Sequence, residues 1–325
     1  MTASRYLLRR IAQIVPAAVV IVVINFFLLR LAPGDMADVM AGQSGSASPE
    51  FLAQLRQQFG TDQPLAVQFA HYASRLAHLD LGYSLRYSQP VLHLIMQRVL
   101  ASAALMLSSL ALALTIGCAL GTVAALSKKR GIDMLLSTVS MLGFATPLFW
   151  VGLMLIVVFS VKLGWLPSGG MHTLGIEQSG LSAFTDVIRH MLLPVLCLTL
   201  YYVAIYARLT RSSVLEVNRL DFVRTARAKG ASRSAIVFRH ILPNALLSIV
   251  TMTALQFGAL FSGSIAIETV FAWPGLGLLA LDAVTTRDLN LLLGILFVSS
   301  LFVLIVNLLT DLLYARLDPR IEVQS

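Results

Sequence analysis

The polar chemistry of this chain is concentrated in one basic segment, between Arg208 and Arg239, which holds eight of the 24 Lys and Arg residues. Guanidinium and ammonium groups bind carboxylates and phosphates. A basic amphipathic segment can therefore lie on anionic lipid headgroups, or it can contact a protein partner. The order of its residues bears on that choice.

The middle of this segment predicts two short helices. Asp221 is expected to cap the first helix and Gly230 to end it, and the second is expected to run from Ser232 to His240. Pro243 then marks entry into an apolar stretch, where proline is tolerated in the first helical turn. A short helix that ends at glycine and is held by a second helix makes a rigid knob, which can transmit force from a docked partner.

The first of these helices is amphipathic. At helical spacing, Phe222, Val223 and Ala226 share one face, and Arg224 and Arg227 share another.

Catalytic patterns are absent from the sequence. It has no G-x-x-x-x-G-K-[ST] loop for ATP phosphates, no Cys/His cluster with metal-ligand spacing, and no H-E-x-x-H or G-x-S-x-G motif. The sequence therefore predicts a chain that is not an enzyme and holds no metal or cofactor of its own.

The elements that position the basic segment follow from the composition. Of 325 residues, 57% are hydrophobic and 12% are charged, and the mean hydropathy is +0.81; soluble domains have about 45–50% and about 25%. Such a chain cannot cover a water-facing surface with polar groups, so a soluble enzyme, a disordered protein and a disulfide scaffold are excluded. An all-α membrane protein is predicted.

Six apolar stretches are long enough to cross a bilayer, because a spanning helix needs about 20 residues. They are predicted at about Ile11–Leu31, Leu100–Leu126, Met134–Val161, Met191–Leu209, Ala245–Ile267 and Leu291–Tyr314. The first follows a run of arginines, as a signal peptide would, but it is long and has no small-residue cleavage site. We interpret it as a retained span and residues 1–325 as a single transmembrane domain.

The loop charges predict the orientation of these spans. The side that holds the two termini, the turn at 128–130 and the basic segment carries 16 basic and six acidic residues, and the other side carries the remaining eight basic and ten acidic ones. Basic loops face the cytoplasm, so both termini are predicted to be cytoplasmic. The net charge of +8 is then a topology signal, and no nucleic-acid partner is predicted.

Residues 32–99 form the longest external segment, predicted to be a helical insertion between the first two spans. Helices are expected to start at Ser48-Pro49-Glu50 and to run from Pro64 to about Leu79. Their apolar stripes favour packing on the span ends over docking of an external partner.

Other patterns predict packing within the membrane. Ala113, Gly117 and Gly121 are spaced by four, which allows close contact between helices. Trp165 and Trp273 fall where an outer aromatic belt would lie, and anchoring is predicted for both.

Several polar residues lie at membrane depth, where they tend to face a bundle interior or a water path. The candidates for lining a path are Tyr201, Tyr202, Gln256, Ser262, Ser264 and Glu268. Glu268, at the outer end of a span, could form part of a gate. Hydrogen bonding between helices is the alternative for each of them.

The basic segment also carries a recognisable pattern. From Phe222 to Gly230 it reads F-V-R-T-A-R-A-K-G, and H-I-L-P follows nine residues later and ends at Pro243. This resembles the cytoplasmic loop of importer-type ABC permeases, E-A-A, three residues, G, nine residues, I-x-L-P, with Arg224 in place of Glu and His240 in place of Ile. The departures are similar to those of the oligopeptide/dipeptide B-type branch. Further strings of that branch lie in order at 29–35, 62–65, 163–167, 268–277 and 311–319.

The resemblance implies a non-catalytic permease subunit in a bacterial plasma membrane. Its partners would be a second homologous permease, an ATP-binding subunit that carries ATP and Mg, an extracytoplasmic substrate-binding protein and membrane lipid. Peptides are the main substrates of the branch, and relatives carry nickel, glutathione or sugars. Residues 208–244 would be the coupling loop. The residues that the resemblance assigns to docking on the ATPase are Asp221, Arg224, Thr225, Ala226, Arg227, Lys229, Gly230 and Pro243.

Two rival classes stay open in the sequence. A secondary transporter usually keeps ionisable groups near the midplane of the membrane, and none of the predicted spans has one there. A receptor or scaffold subunit that moves nothing is the other rival.

Overall fold

In the computed structural model, the regular secondary structure of the described residues is helical apart from one short hairpin. The structure describes residues 3–31, 62–84, 86–127, 146–175 and 179–317, with isolated positions at 48, 50, 52–53, 57 and 131. Side chains in parts of 3–30 and 254–263, and those of 311–317, are outside this description. Pro49, in the helix start expected at Ser48-Pro49-Glu50, and most of the first half of the third predicted span are also outside it.

In chain order the helices are α1 (Ala3–Leu31), α2 (Leu65–Ala77), α3 (Val91–Leu126), α4 (Leu148–Leu155), α5 (Leu181–Val217), α6 (Asp221–Ala228), α7 (Arg233–Ala235), α8 (Leu242–Val270), α9 (Leu276–Thr285) and α10 (Leu289–Leu317). A π-helical stretch, Ile156–Lys162, continues α4, and a second, Ile236–Ile241, joins α7 to α8. Strands β1 (Tyr83–Ser84) and β2 (Gln89–Pro90) pair antiparallel.

Within the described residues, four helical stretches are long and apolar enough to cross a membrane. They are Val91–Leu126, Leu181–Val217, Arg233–Thr253 and Leu289–Thr310. They correspond to the second, fourth, fifth and sixth predicted spans, and each helix extends beyond the predicted apolar limits. The prediction of a helical membrane protein is confirmed.

The chain divides into two compact units, of which the first combines residues 1–96 with 282–304. In this unit α1 contacts α2 through Phe26, whose ring lies edge-on to Phe69 with centroids 5.3 Å apart. The β hairpin, absent from the helical prediction, is held by two carboxylates. Tyr87 donates to Asp282, and Ser84 donates to Asp288.

The second unit combines residues 97–281 with 305–325. In it α3 packs closely on α5 along the predicted small-residue face. A Cβ atom at Gly117 would lie 2.6 Å from Tyr206 Cβ, and one at Gly121 would lie 2.7 Å from Thr210 Cβ. Since atoms cannot approach so closely, glycine at these two positions sets the distance between the helices.

Candidate functional site

The basic segment folds as a rigid knob, defined here as residues 221–241. Helix α6 ends where Gly230 adopts a φ of +79°, a left-handed conformation that costs an L-residue energy. The amide of Ala231 then donates to Ala226 O at 3.2 Å and closes the helix end. The predicted helix stop at Gly230 is confirmed. Because no atom lies within 4 Å of a Cβ built there, only the backbone conformation requires glycine.

The start of α6 differs from the expectation. Leu220 has the extended backbone of the N-cap, with φ −70° and ψ 150°, and no side chain caps the helix. Asp221 is instead the first helical residue, where its carboxylate favours the positive helix end and accepts from Arg224 at 3.3 Å. Both side chains are mostly exposed, so this pair adds little stability.

The buried face of α6 anchors the knob. Val223 and Ala226 pack in a cluster formed mainly by the end of α5 and by the stretch that enters α8. The members of the cluster are Val214, Val217, Val223, Ala226, Ile236, Ile241 and Ala245. Phe222 was expected on this face but is 41% exposed.

Two arginines fix the knob to neighbouring helices. Arg227 donates to the Asn218 side chain, which directly follows α5. Arg233 donates to Leu126 O at 2.9 Å, at the last residue of α3, where free carbonyls favour a cation. The exposed residues of α6 and its end are Asp221, Phe222, Arg224, Thr225, Arg227, Ala228, Lys229 and Gly230. No pattern in the sequence indicates the Arg233 contact, because it joins residues 107 positions apart.

The sequence predicts that the second helix of the knob ends at His240, before the fifth span, but in the structure this helix continues into the span. The start near Ser232 is confirmed, and Ser232 caps α7 by accepting from Ala235 N at 3.3 Å. Residues 233–270 then form one continuous helix, in which Leu242 N bonds to Val237 O through the π-helical stretch. Pro243 lies in the first turn of α8, and the wider π turn accommodates its missing N–H. The knob and the fifth span are therefore a single rod.

A buried carboxylate lies at the other end of this rod. Glu268 is 0% exposed and accepts from Ser102 Oγ at 2.6 Å, Gly277 N at 2.6 Å and Leu278 N at 3.0 Å. The Ser264 hydroxyl also bonds to it. We call Glu268, Ser102, Gly277 and Leu278 the carboxylate clasp. It joins α8, α3 and the start of α9.

The turn before α9 is fitted around this clasp. Trp273, expected in an aromatic belt, is 0% exposed and donates from Nε1 to Ala101 O at 3.0 Å. Its amide donates to Glu268 O at 2.8 Å. Gly275 has no room for a side chain, since a Cβ there would overlap the Glu268 carboxylate. Anchoring of Trp273 at the lipid interface is therefore wrong, whereas Trp165 is exposed.

The remaining path candidates differ in their exposure. Tyr202 and Ser264 are buried, Tyr201 and Gln256 are half-buried, and the side chain of Ser262 is outside the described part. Tyr201 and Tyr202 stack edge-on with centroids 5.1 Å apart. Their place on a path stays a prediction. For Glu268, the enclosing donors favour a role in holding helices together.

Comparison with known proteins assigns the chain to a family. Residues 117–323 match the model of the binding-protein-dependent transport system inner membrane component, and residues 3–106 match its N-terminal model. The chain belongs to this family. A di/tripeptide transport system permease protein of Pseudomonas aeruginosa is 38% identical, over 98% of this chain and 99% of its own length.

Other relatives of the permease agree. A putative peptide transport system permease protein of Brucella suis is 38% identical, over 97% of this chain and 98% of its own length. The glutathione transport system permease protein of Salmonella typhimurium is 39% identical, over 98% of both chains. A solved inward-facing methionine ABC transporter has a TM-score of 0.55 at 17% identity, over 69% of this chain and 96% of the other; this likeness shows the fold alone.

These matches confirm the resemblance to the oligopeptide/dipeptide B-type branch. The chain is a non-catalytic permease subunit and a multi-pass protein of the bacterial inner membrane.

Proposed function

We propose that this permease forms half of the path of an ATP-driven peptide importer, with six spans and both termini in the cytoplasm. The knob is the observation that carries the proposal. It presents basic side chains on a helix whose other face is buried, and it is fixed to the ends of α3, α5 and α8. A force on α6 therefore reaches three spans together, as a rigid-body switch requires.

The partners follow from this arrangement. An ATP-binding subunit, with its own ATP and Mg, docks on the exposed residues of the knob, and a second homologous permease completes the path. A substrate-binding protein delivers peptide from outside, and lipid surrounds the spans. This chain binds no nucleic acid and carries no cofactor.

Charge reversal in the knob tests the docking. Arg224 and Lys229 are both exposed. The double variant Arg224→Glu and Lys229→Glu is expected to lose the ATP-binding subunit when the tagged permease is purified from native membranes. Arg287→Glu, an exposed reversal outside the knob, is the control.

Two results would contradict the docking. Retention of the ATP-binding subunit together with unchanged uptake would exclude the knob as its site. If the subunit stays bound while the variant loses affinity for anionic liposomes, the basic residues bind lipid instead.

The peptide transport permeases among the relatives support peptide as the substrate, and an uptake measurement tests this. Cells that have this transporter as their sole peptide system should accumulate labelled dipeptide or tripeptide. Competition by glutathione but not by these peptides would favour the glutathione relative. Uptake without any ATP-binding subunit would favour a secondary transporter.

A further inference from the structure

The knob and the carboxylate clasp lie at opposite ends of one helix. Residues 233–270 run without a break from Arg233, which contacts α3, to the last turn of α8, which contains Glu268. At 1.5 Å per residue, these two positions are about 50 Å apart along the axis. Glu268 therefore lies at the end of this helix away from the knob, where a movement of the knob would displace it.

The clasp binds three segments to a single group. The Ser102 hydroxyl donates to Oε1 of Glu268 while it accepts from Leu276 N at 2.7 Å. Oε2 of the same carboxylate receives the amides of Gly277 and Leu278 at the start of α9. A buried carboxylate is stable only if its lone pairs are satisfied, and a helix N-terminus supplies such donors. Each segment thus depends on the carboxylate for its position.

The turn around the clasp combines a strained backbone with close packing on the carboxylate. Ala272 has a φ of +47°, which an alanine adopts only under strain. Gly275 and Gly277 bring the backbone so close to the carboxylate that a Cβ at Gly277 would lie 2.9 Å from Oε2. A turn that accepts strained backbone in order to surround one side chain fits a fixed joint better than a flexible gate.

We propose that Glu268 is a positioning residue that fixes the far end of the 233–270 helix to α3 and to the start of α9. Displacement imposed at the knob then moves the clasp as one body, instead of sliding α8 past α3. The inference deepens the proposed function and rests on it for the source of that displacement. It replaces the gate that the sequence suggested for Glu268 with a joint.

Two substitutions separate the joint from its neighbours. Glu268→Met keeps the approximate size but leaves the amides of Gly277 and Leu278 without an acceptor. Glu268→Gln is milder, because its oxygen can serve the amides while the Ser102 hydroxyl turns to accept from the new NH2 group. Glu216→Gln, which neutralises an exposed carboxylate of α5, is the matched control.

The experiment uses the whole transporter in proteoliposomes. Spin labels at Leu100 and Leu281, both exposed, report the separation of α3 and α9 within one unit. Native cysteines 118 and 197 are replaced first. In the unaltered clasp we expect one narrow distance distribution that is the same with and without ATP. In Glu268→Met it should broaden, and peptide uptake per ATP hydrolysed should fall by about tenfold or more, with a smaller fall in Glu268→Gln.

The outcomes are decisive in each direction. A narrow, unchanged distribution in both variants would overturn the joint, and so would unchanged uptake per ATP. Loss of the ATP-binding subunit from Glu268→Gln would overturn it too, because the carboxylate would then support the whole fold. If the unaltered transporter fails to import peptide, the proposed function fails, and the distance distributions alone still decide whether Glu268 holds α3 to α9.

Discussion

Replacement of Gly230 tests whether the shape of the knob, and not only its charge, couples the permease to its ATPase. The residue has a φ of +79° and open space around its Cβ position. A Cβ atom there therefore meets no neighbouring atom, and the cost of Gly230→Ala is the backbone strain alone. This makes the expected effect calculable from the conformation.

The left-handed conformation costs about 1–2 kcal/mol for a residue with a Cβ atom. A cost of that size changes a conformational ratio by about 5- to 30-fold. Asparagine tolerates the conformation better than alanine, and a β-branched residue tolerates it worst. We therefore expect coupling to fall in the order Gly, Asn, Ala, Val. Gly230→Trp adds bulk to the exposed end of α6 and should leave the protein in the membrane while it uncouples hydrolysis from uptake.

The measurement is peptide uptake per ATP hydrolysed, in proteoliposomes with equal amounts of assembled transporter. The matched control is Gly164→Ala. Gly164 has a φ of +63° and equally open surroundings, but it lies in the loop after the π-helical end of α4. Its replacement carries the same strain away from the knob, so coupling should persist.

Two results would refute this reasoning. Equal loss of coupling in Gly164→Ala would show that general destabilisation, and not the knob, is responsible. Full coupling in Gly230→Val and Gly230→Trp, at equal expression, would show that the conformation of the helix end has no role.

Three further substitutions test the packing. Gly121→Val should lower the Tm in detergent by the equivalent of about 1–3 kcal/mol, because its Cβ would overlap α5. The control is Ala119→Val, at an exposed position of the same helix, which should leave the Tm unchanged. An equal fall in Tm for both variants would exclude the contact. Ala272→Gly should raise Tm, since it relieves a positive φ of +47°; a lower Tm would exclude strain there. The pKa of Asp80 lies below its ordinary value, mainly through the hydrogen bond from Arg75, so Asp80→Asn should lower Tm near pH 7. That difference should vanish as acid protonates Asp80, and a constant difference would contradict the pairing.

Local patterns predicted the knob well because their causes are local. Glycine at 230 is the one residue type that takes its φ without strain, and Ser232 caps the following helix through a residue three positions on. The prediction that Phe222 is buried was wrong, because three apolar residues share an approximate face of α6 and its packing buries only two of them. The sequence did not predict a continuous rod, because a proline such as Pro243 usually ends a helix and the preceding π turn has no signature in the sequence.

The carboxylate clasp could not be predicted, since its contacts are distant in sequence. Ser102 and Glu268 are 166 positions apart, and Trp273 reaches Ala101 across 172. A tryptophan near a span end is typical of an interface anchor, whereas the fold encloses Trp273 between α3 and α8. A sign was present in the two glycines that follow Pro274, because close backbone approach requires such residues.

The surroundings of the buried carboxylates also bear on how transport is driven. Among the side chains that the structure describes, Asp186 and Glu268 are the buried acids. Asp186 accepts the Thr173 amide and hydroxyl, both at 2.7 Å, and Glu268 is occupied by the clasp. A proton-coupled carrier needs an acid that water can reach and that is free to release its bonds as it loads. Both acids here accept hydrogen bonds that hold backbone segments in place. We propose that the drive enters at the knob, which is fixed to the ends of α3, α5 and α8.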